Sequence, residues 1–170
     1  MSLLDKEPVK RVEKVLKDFD NSLAVIELAS SARTALDAAN SLKCEVGAIV
    51  KSLLFKTEDK FLLCLVSGDK RCSLNKLKKI TKIKDISMAS PEDVKDQTGY
   101  TIGGVSPVGH LNNLNIFIDI SLKRFANIFA AAGHPNCVFK INFQNLQKIT
   151  NGEIENIVEW KVQKHSTIFC

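Results

Sequence analysis

The sequence has no apolar stretch long enough to cross a bilayer as a helix, and its N-terminus does not show the basic-then-apolar order of a secretory signal. We therefore expect the protein to stay in the cytoplasm. Low-complexity linkers and internal repeats are also missing. With 170 residues, of which 45% are hydrophobic and 25% charged, the chain has the size and composition of one globular domain, and residues 161–170 are expected to be a loosely held tail.

The sequence also lacks the common patterns that bind metals and nucleotides. Its five cysteines are widely spaced without a Cys-x-x-Cys motif, and its three histidines form no pair at metal-ligand spacing. Cys64 and Cys137 lie in apolar segments and are predicted to be buried. A Walker loop, a Gly-x-Gly-x-x-Gly fingerprint and a Gly-x-Ser-x-Gly elbow are absent. These absences argue against a zinc site, a dinucleotide site and covalent hydrolysis by a serine nucleophile.

Short helices and short strands alternate along the chain without the regular repeat of a doubly wound sheet. Apolar residues at helical spacing predict a helix near the N-terminus, and Ser90 followed by Pro91 and two acids predicts the start of another. We expect an α/β (α+β) fold in a single domain, with a mixed, curved sheet flanked by short helices. The predicted helices are 8–19, 31–42, one that begins at 73, one that begins at 91, and 142–147; the predicted strands are 25–28, 47–55, 61–68, 115–120, 137–141 and 154–158.

One lysine interrupts the most apolar predicted strand. Residues 47–55 read Gly-Ala-Ile-Val-Lys-Ser-Leu-Leu-Phe, with Lys51 at the centre. Because an ammonium group is costly to bury without a partner, Lys51 must reach solvent, pair with a carboxylate such as that of Asp119, or face a cleft that receives an anionic ligand. The last option makes Lys51 the first candidate for a functional residue.

A glycine-rich loop follows in the second half of the chain, where residues 103–107 read Gly-Gly-Val-Ser-Pro. Glycine lets a ligand approach backbone amides closely, and the proline fixes the exit of the loop. Amides aimed at one point can stabilise a carbonyl oxygen that becomes negative during attack on an ester. A tight turn between strands explains the same residues, and the local sequence does not decide between the two.

A second loop of small residues reads Ala-Ala-Gly-His-Pro at 131–135. His134 can hydrogen-bond a ligand or orient a water molecule, and a purely structural histidine fits the same pattern. His110 follows a glycine in a loop and has less to support a functional role, and His165 lies in the expected tail.

Seven cations fall within fifteen residues, and this cluster suits either a polyanion such as RNA or a solvated helix face. Nothing in the segment indicates that it distinguishes one base sequence from another. The cations are Lys70, Arg71, Lys76, Lys78, Lys79, Lys82 and Lys84.

Taken together, three segments resemble the YbaK and prolyl-tRNA-synthetase-associated editing domain family. They are residues 50–55 (Val-Lys-Ser-Leu-Leu-Phe), the loop 103–107, and 132–135 (Ala-Gly-His-Pro), in the family's order and separation. The resemblance covers about residues 20–158 and implies an editing domain over 1–160. It also implies a single α/β domain around a mixed, barrel-like sheet that hydrolyses the ester of wrongly charged tRNA without a metal, a cofactor or a covalent enzyme intermediate.

The resemblance assigns roles to individual residues. Lys51 would match the family's essential lysine and hold the 3′-terminal adenosine and its phosphate, the amides of Gly103 and Gly104 would stabilise the oxyanion, and His134 would belong to a late glycine-histidine element. The candidates for substrate binding are Leu28, Leu53, Val105, Ser106, Pro107 and Gly133. The candidates for contact with the tRNA backbone are Lys70, Arg71, Lys76 and Lys79.

The function implied by the resemblance is hydrolysis in trans of tRNA(Pro) that carries a small non-cognate amino acid such as alanine or cysteine. The expected partners are the aminoacylated 3′ end and acceptor stem of tRNA, together with prolyl-tRNA synthetase. One alternative is a non-catalytic module with the same fold that binds tRNA or a synthetase. A second alternative is a hydrolase of another small ester or amide, which would not depend on the tRNA body.

Overall fold

The computed structural model describes residues 2–30, 32 and 34–160. The α-helices are α1 (Glu7–Phe19), α2 (Ala35–Leu42), α3 (Leu74–Thr81), α4 (Pro91–Thr98) and α5 (Phe143–Thr150). The strands are β1 (Val25–Glu27), β2 (Val50–Lys56), β3 (Phe61–Ser67), β4 (Arg71–Cys72), β5 (Ser87–Met88), β6 (Asn115–Asp119), β7 (Ile128–His134), β8 (Cys137–Ile141), β9 (Glu153–Glu155) and β10 (Val158–Glu159). Short 3-10 turns lie at Leu3–Asp5, Val46–Ala48 and Ile120–Arg124.

Capping side chains set where the helices begin. At α4, Ser90 Oγ accepts the Asp93 amide at 3.0 Å, the Asp93 carboxylate accepts the Ser90 amide, and Pro91 takes the first helical position, as the sequence predicts. The start predicted for α2 at residue 31 is wrong. That helix begins at Ala35, because Thr34 Oγ1 accepts the Asp37 amide at 3.1 Å, and α2 is therefore about one turn shorter than predicted.

The described strands pair in three sheets. The largest has the order β5-β2-β3-β6-β9, in which β2 and β3 form the predicted antiparallel hairpin and β6 runs parallel to both β3 and β9. A second sheet has the order β1-β8-β7, and β4 pairs with β10 in a third. The mixed α/β single-domain fold is confirmed, and the strands described here do not close into a barrel.

The two faces of the β2–β3 hairpin pack against different groups of side chains. Val50 and Leu54 of β2 belong to the main apolar core, where Ile118 and Phe139 are also fully buried. Because side chains alternate along a strand, Lys51 shares the opposite face with Phe55, which packs in a separate cluster. Lys51 therefore points away from the main core.

A third apolar cluster lies between α2 and the β1-β8-β7 sheet. Ala35, Ala38 and Ala39 of the helix pack with Ala131 and Val138 of the strands, and alanine lets the helix approach the sheet closely.

An isolated parallel bridge between Ile49 and Phe129 joins the β1-β8-β7 sheet to the start of β2. The strand that carries Lys51 and the strand that ends in Gly133 and His134 thus lie side by side.

The two cysteines that the sequence predicts to be buried are buried. Cys64 and Cys137 are both 0% exposed. Burial raises the pKa of the Cys137 thiol to about 11, so this thiol stays protonated and is a poor nucleophile at neutral pH.

Candidate functional site

Lys51 is buried in the structure. It is 2% exposed, it lies opposite Val66 in the β2–β3 register, and its Nζ donates a hydrogen bond to the carbonyl oxygen of Lys70. Of the three environments that the sequence allowed, bulk solvent is therefore excluded. The Lys70 carbonyl oxygen satisfies one of the Nζ–H donors of Lys51.

Asp119, which the sequence offered as a partner for Lys51, performs another task. It is fully buried, and its two carboxylate oxygens accept the backbone amides of Ser121 at 2.9 Å and Ile157 at 2.7 Å. These bonds cap the turn after β6 and attach the segment before β10 to the main sheet. Asp119 is thus tied to backbone groups.

The turn that presents the Lys70 carbonyl is held by a network around Arg124. Arg124 donates to Ser67 Oγ at 2.9 Å and to Asp69 at 2.7 Å, and Ser67 Oγ donates to the carbonyl oxygen of Gly47. Although burial raises the pKa of Asp69, hydrogen bonds and the charge of Arg124 keep it below its usual value, so the ion pair persists at neutral pH. These hydrogen bonds therefore hold the turn whose Lys70 carbonyl oxygen accepts the hydrogen bond from Lys51.

The two glycine loops, which the sequence treats separately, touch each other. The Gly133 amide donates to the Gly104 carbonyl oxygen at 3.0 Å. A Cβ atom on Gly104 would lie 2.8 Å from the backbone nitrogen of His134. Gly103 has φ +97 and Gly133 has φ +89, a conformation that side chains rarely adopt. The glycines thus allow a backbone-to-backbone contact that any larger residue would prevent.

One of the two amides proposed for an oxyanion is already used within the loop. The Gly104 N–H donates to the carbonyl oxygen of Thr101 at 3.0 Å, which closes a tight turn. The tight turn is therefore present, and the oxyanion contact stays a prediction. Gly104 supports a turn, and Gly103 is the remaining candidate for an oxyanion contact.

The loop predicted at residues 131–135 is wrong for residues 131–134, which form the end of β7, and α1 packs against this end in a contact that no sequence pattern indicated. A Cβ atom on Gly133 would lie 2.8 Å from the carbonyl carbon and oxygen of Pro8. The apolar face of α1, including Val9, Val12 and Leu16, belongs to the main core. The start of α1 consequently packs against the end of β7 that carries His134.

His134 is a neutral, partly accessible side chain. Burial lowers its pKa, the positive charge of Lys6 lowers it further, and Glu27 opposes both effects. Its Nδ1 accepts the backbone amide of Asn136 at 3.1 Å, so the ring proton of the neutral form resides on Nε2. His134 therefore has one N–H to offer a ligand. His110, by contrast, is held within its own loop, where its Nε2 donates to the Ser106 carbonyl oxygen at 2.7 Å.

The residues proposed to bind substrate fall into different packing environments. Leu28 is buried in the cluster beneath α2, and Leu53 is half-buried beside the cluster that contains Phe55. Val105 belongs to the main core, and Ser106 Oγ accepts the Val108 amide at 3.3 Å, with Pro107 also buried. Leu53 lies on the same face of β2 as Lys51, Leu28 packs beneath α2 against the β1-β8-β7 sheet, and Val105 lies in the main core.

The four cations proposed to contact tRNA separate into two pairs. Arg71 and Lys79 are exposed. Lys76 Nζ donates to the Val158 carbonyl oxygen at 2.7 Å, and Lys70, which is 6% exposed, reaches the Trp160 carbonyl oxygen at 3.4 Å. Lys76 thus attaches the end of the described chain to α3, and Lys70 attaches it to the turn that carries the carbonyl oxygen bound by Lys51.

Two further properties concern ions and membranes. Within residues 2–30, 32 and 34–160, no cluster of three or more His, Cys, Asp or Glu side chains is arranged to hold a metal ion. None of the helices described in this part of the chain is both long and apolar enough to span a membrane.

Comparison with known proteins identifies the family. The sequence profile of the aminoacyl-tRNA editing domain matches residues 29–149, and the chain belongs to this family. The predicted resemblance is confirmed, and the class of function is aminoacyl-tRNA editing, the proofreading of charged tRNA.

Relatives include both free-standing and fused proteins. The uncharacterized protein YwhH of Bacillus subtilis (strain 168) is 30% identical over 147 residues, which cover 86% of this chain and 93% of YwhH. A proline–tRNA ligase of Bacillus velezensis is 30% identical over 136 residues, which cover 79% of this chain and 22% of the ligase. This chain therefore spans about a fifth of that ligase.

Solved structures agree with this assignment. The crystal structure of a candidate trans-editing enzyme for prolyl tRNA synthetase matches with a TM-score of 0.86 and 36% identity, over 91% of this chain and 98% of that chain. The hypothetical protein APE2540 matches with a TM-score of 0.81 and 25% identity, over 88% and 99% of the two chains.

Proposed function

We propose that this protein hydrolyses, in trans, the ester bond of tRNA(Pro) that carries a small non-cognate amino acid such as alanine or cysteine. The observation that carries the proposal is the burial of Lys51 on a strand next to the one that ends in Gly133 and His134, with the Gly103–Gly104 loop in contact with that end. A buried lysine and a glycine-lined turn on adjacent strands suit an acylated RNA end.

In this proposal Lys51 attracts the phosphate of the terminal adenosine as a point charge. The Gly103 amide donates to the carbonyl oxygen as it becomes negative, and the Nε2–H of neutral His134 orients a water molecule or a ribose hydroxyl. Water attacks the aminoacyl carbonyl carbon, the ester C–O bond breaks, and the proton ends on the ribose oxygen. Binding along the acceptor stem positions the ester, so a weakly activated water suffices.

Selectivity follows from size. A pocket excludes larger side chains by steric contact, while one missing methylene changes the binding free energy by only about 1–3 kcal/mol. Proline is thus excluded by its shape, and alanine is accepted. Leu28 and Leu53 are the candidates for the pocket wall, and Leu53 lies on the same face of β2 as Lys51.

The test is a deacylation assay with Ala-, Cys-, Ser- and Pro-tRNA(Pro) measured side by side. We expect faster ester loss for at least one small amino acid than in buffer, and no acceleration for proline. Ester loss at the buffer rate for every substrate would refute the proposal. Binding of uncharged tRNA without any deacylation would instead favour a non-catalytic module.

The same assay separates the remaining alternative. If the enzyme acts on a small amino-acid ester as fast as on the tRNA ester, the tRNA body is irrelevant and another hydrolase activity is indicated. The proposed activity takes place with the translation machinery in the cytoplasm, with prolyl-tRNA synthetase as a partner, and we assign it to a domain that spans residues 1–160.

A further inference from the structure

A tryptophan flanked by two cations lies at the end of the described chain. Trp160 is the only tryptophan in the sequence, and it is 47% exposed. Lys70 Nζ lies 5.0 Å from the centroid of its ring, and Arg124 Cζ lies 5.8 Å from the same point. We call these three residues the Trp160 platform. A half-exposed indole in such a setting differs from the apolar side chains that fill the core.

The platform is held in place by several contacts. Val158 and Glu159, just before Trp160, pair with Cys72 and Arg71 of β4. The indole Nε1 donates to Asn156 Oδ1 at 3.2 Å, and Lys70 Nζ donates to the Trp160 carbonyl oxygen at 3.4 Å. The ring is thus oriented by strand pairing and by hydrogen bonds at both its main chain and its side chain.

The platform shares a residue with the Lys51 site. The carbonyl oxygen of Lys70 accepts the hydrogen bond from Lys51, and the side chain of Lys70 lies over the Trp160 ring. Arg124, which fixes the turn through Ser67 and Asp69, is the other cation near the ring. Lys70 therefore links the two places, because its carbonyl oxygen contacts Lys51 and its side chain contacts the Trp160 ring.

An aromatic face beside cations matches the chemistry of single-stranded nucleic acid. Bases stack on aromatic rings largely without regard to their identity, and cations next to the ring meet the phosphates between the bases. Paired bases offer no free face for such stacking. The ligand suited to the platform is an unpaired nucleotide at an RNA end.

We propose that the Trp160 platform binds the unpaired 3′-terminal nucleotides of the RNA, with one base stacked on the indole and the adjoining phosphates at Lys70 and Arg124. The inference rests on the proposed function in one respect, namely that the ligand of the Lys51 site is an acylated RNA end. It adds a base-stacking contact that would position the ester relative to Lys51.

The single tryptophan allows a direct test with the unmodified protein. Intrinsic fluorescence is recorded while a short RNA hairpin with an unpaired 3′ CCA end is added, and binding is followed independently by anisotropy of a label at the 5′ end. Stacking should quench Trp160 fluorescence, with the same midpoint as the anisotropy change. A blunt hairpin of the same stem should produce much less quenching when bound.

Variants measure the contribution to affinity. We expect Trp160→Ala to weaken binding of the CCA hairpin about tenfold and Trp160→Phe to weaken it less, because a phenyl ring still stacks. The matched control is Phe19→Ala, since Phe19 is also aromatic and is 39% exposed, on α1. This control should bind the hairpin like the wild type. Circular dichroism verifies that each variant is folded.

The outcomes separate this inference from the proposed function. Unchanged fluorescence at RNA saturation, or equal affinities for wild type and Trp160→Ala, would overturn the platform even if the wild type deacylates tRNA. Quenching by the CCA hairpin in a protein that removes no amino acid would support the platform and refute the enzymatic proposal. The loss of affinity caused by Trp160→Ala should persist in high salt, because salt weakens electrostatic contacts and not base stacking.

Discussion

The two sides of the candidate site are built in different ways. On the Lys51 side, long side chains and charges form a network in which Arg124, Asp69 and Ser67 hold the turn that carries the Lys70 carbonyl. On the glycine side, Gly104 and Gly133 meet through backbone atoms alone. The first side depends on where charge is placed, and the second depends on the absence of side-chain atoms.

This difference implies different sensitivities to substitution. A change of charge on the first side should affect the binding and reaction of an anionic ligand more than the fold, provided that the volume is kept. An added methyl group on the second side should move the backbone, because the atoms that it would meet belong to the main chain. The predictions below test this contrast, beginning with the largest expected effect.

Lys51→Ala should abolish turnover, and Lys51→Met tests the charge with less change of volume. Because Lys51 is 2% exposed, alanine would also leave a cavity, whereas methionine keeps most of the apolar stem. Loss of the contact that positions the acylated RNA end lowers the rate about 100-fold or more. Single-turnover deacylation of mischarged tRNA measures the effect.

The control for Lys51→Met is Lys56→Met on the same strand. Lys56 is exposed and lies 3.8 Å from Asp93, so its charge serves only a surface ion pair. This variant should keep its full deacylation rate. A Lys51→Met protein as active as Lys56→Met would remove Lys51 from the mechanism.

Gly104→Ala should separate the two glycine loops. Its Cβ atom would lie 2.8 Å from the His134 nitrogen and 2.9 Å from the His134 Cα, neither of which can rotate away. We expect the deacylation rate to fall about tenfold, because small displacements of reacting groups are costly, and the free energy of unfolding to fall by about 1–3 kcal/mol. Urea titration and single-turnover kinetics give the two values.

Gly152→Ala serves as the matched control for that substitution. Its Cβ atom would meet side-chain atoms of Ile118 at 2.9 Å, a clash of similar size but with atoms that can move, at the start of β9. Both substitutions are expected to lower the free energy of unfolding. The contrast holds if the deacylation rate falls in Gly104→Ala and stays at the wild-type value in Gly152→Ala. Equal rates for Gly104→Ala and the wild type would contradict the role assigned to the loop contact.

Lys79→Ala should change affinity for tRNA a few-fold and leave the reaction of bound tRNA unchanged. Lys79 is exposed on α3, so its ammonium can contact the RNA backbone without rearrangement. Loss of one phosphate contact reduces the slope of log K against log salt by about 1. Binding isotherms at three salt concentrations measure this slope, and an unchanged slope would exclude Lys79 from the interface.

The smallest expected effect is a dependence of stability on pH. Burial, followed by the charge of Lys6, lowers the pKa of His134 below its ordinary value of 6.5, and burial also lowers that of His110. The unfolded chain therefore takes up these protons at higher pH than the folded protein. The histidine contribution is complete above pH 6.5 and is lost as the pH falls from 6.5 through the folded-state values.

Urea titrations at about pH 7.5 and about pH 5.5 detect this loss. The free energy of unfolding of His134→Gln should differ less between the two pH values, since His110 is then the histidine with a lowered pKa that remains. The acids with lowered pKa, Asp20 and Asp69, titrate below their ordinary value of 3.8 and do not interfere. An equal pH difference in wild type and His134→Gln would contradict the assignment to His134.

Much of the fold could be predicted because its signals are local. The lysine within the apolar run of β2, the capping residues of α4 and the alternation of β6 each depend on residues close together in the sequence. The start of α2 was missed because serine and threonine are both good caps, and only the structure shows that Thr34 is the one used.

The parts of the site that were not predicted depend on contacts between distant residues. The contact between Pro8 and Gly133 crosses most of the chain, and neither residue type identifies its partner. The position of Trp160 beside Lys70 depends on the pairing of β10 with β4. The strand predicted at 154–158 is divided in the structure into β9 and β10, and β4 was not predicted. Local patterns therefore identified the candidate residues, and tertiary contacts determined which of their atoms are already engaged.

The packing of Pro8 on Gly133 has a practical consequence for handling this protein. Lys6, directly ahead of α1, lies close enough to His134 to lower its pKa, so a polypeptide fused at the N-terminus is attached within a few residues of the side chain proposed to act on the RNA terminus. Activity and affinity are best measured after such an extension has been cleaved, and a bulky fusion at that position offers a steric means of blocking the site without altering any residue in it.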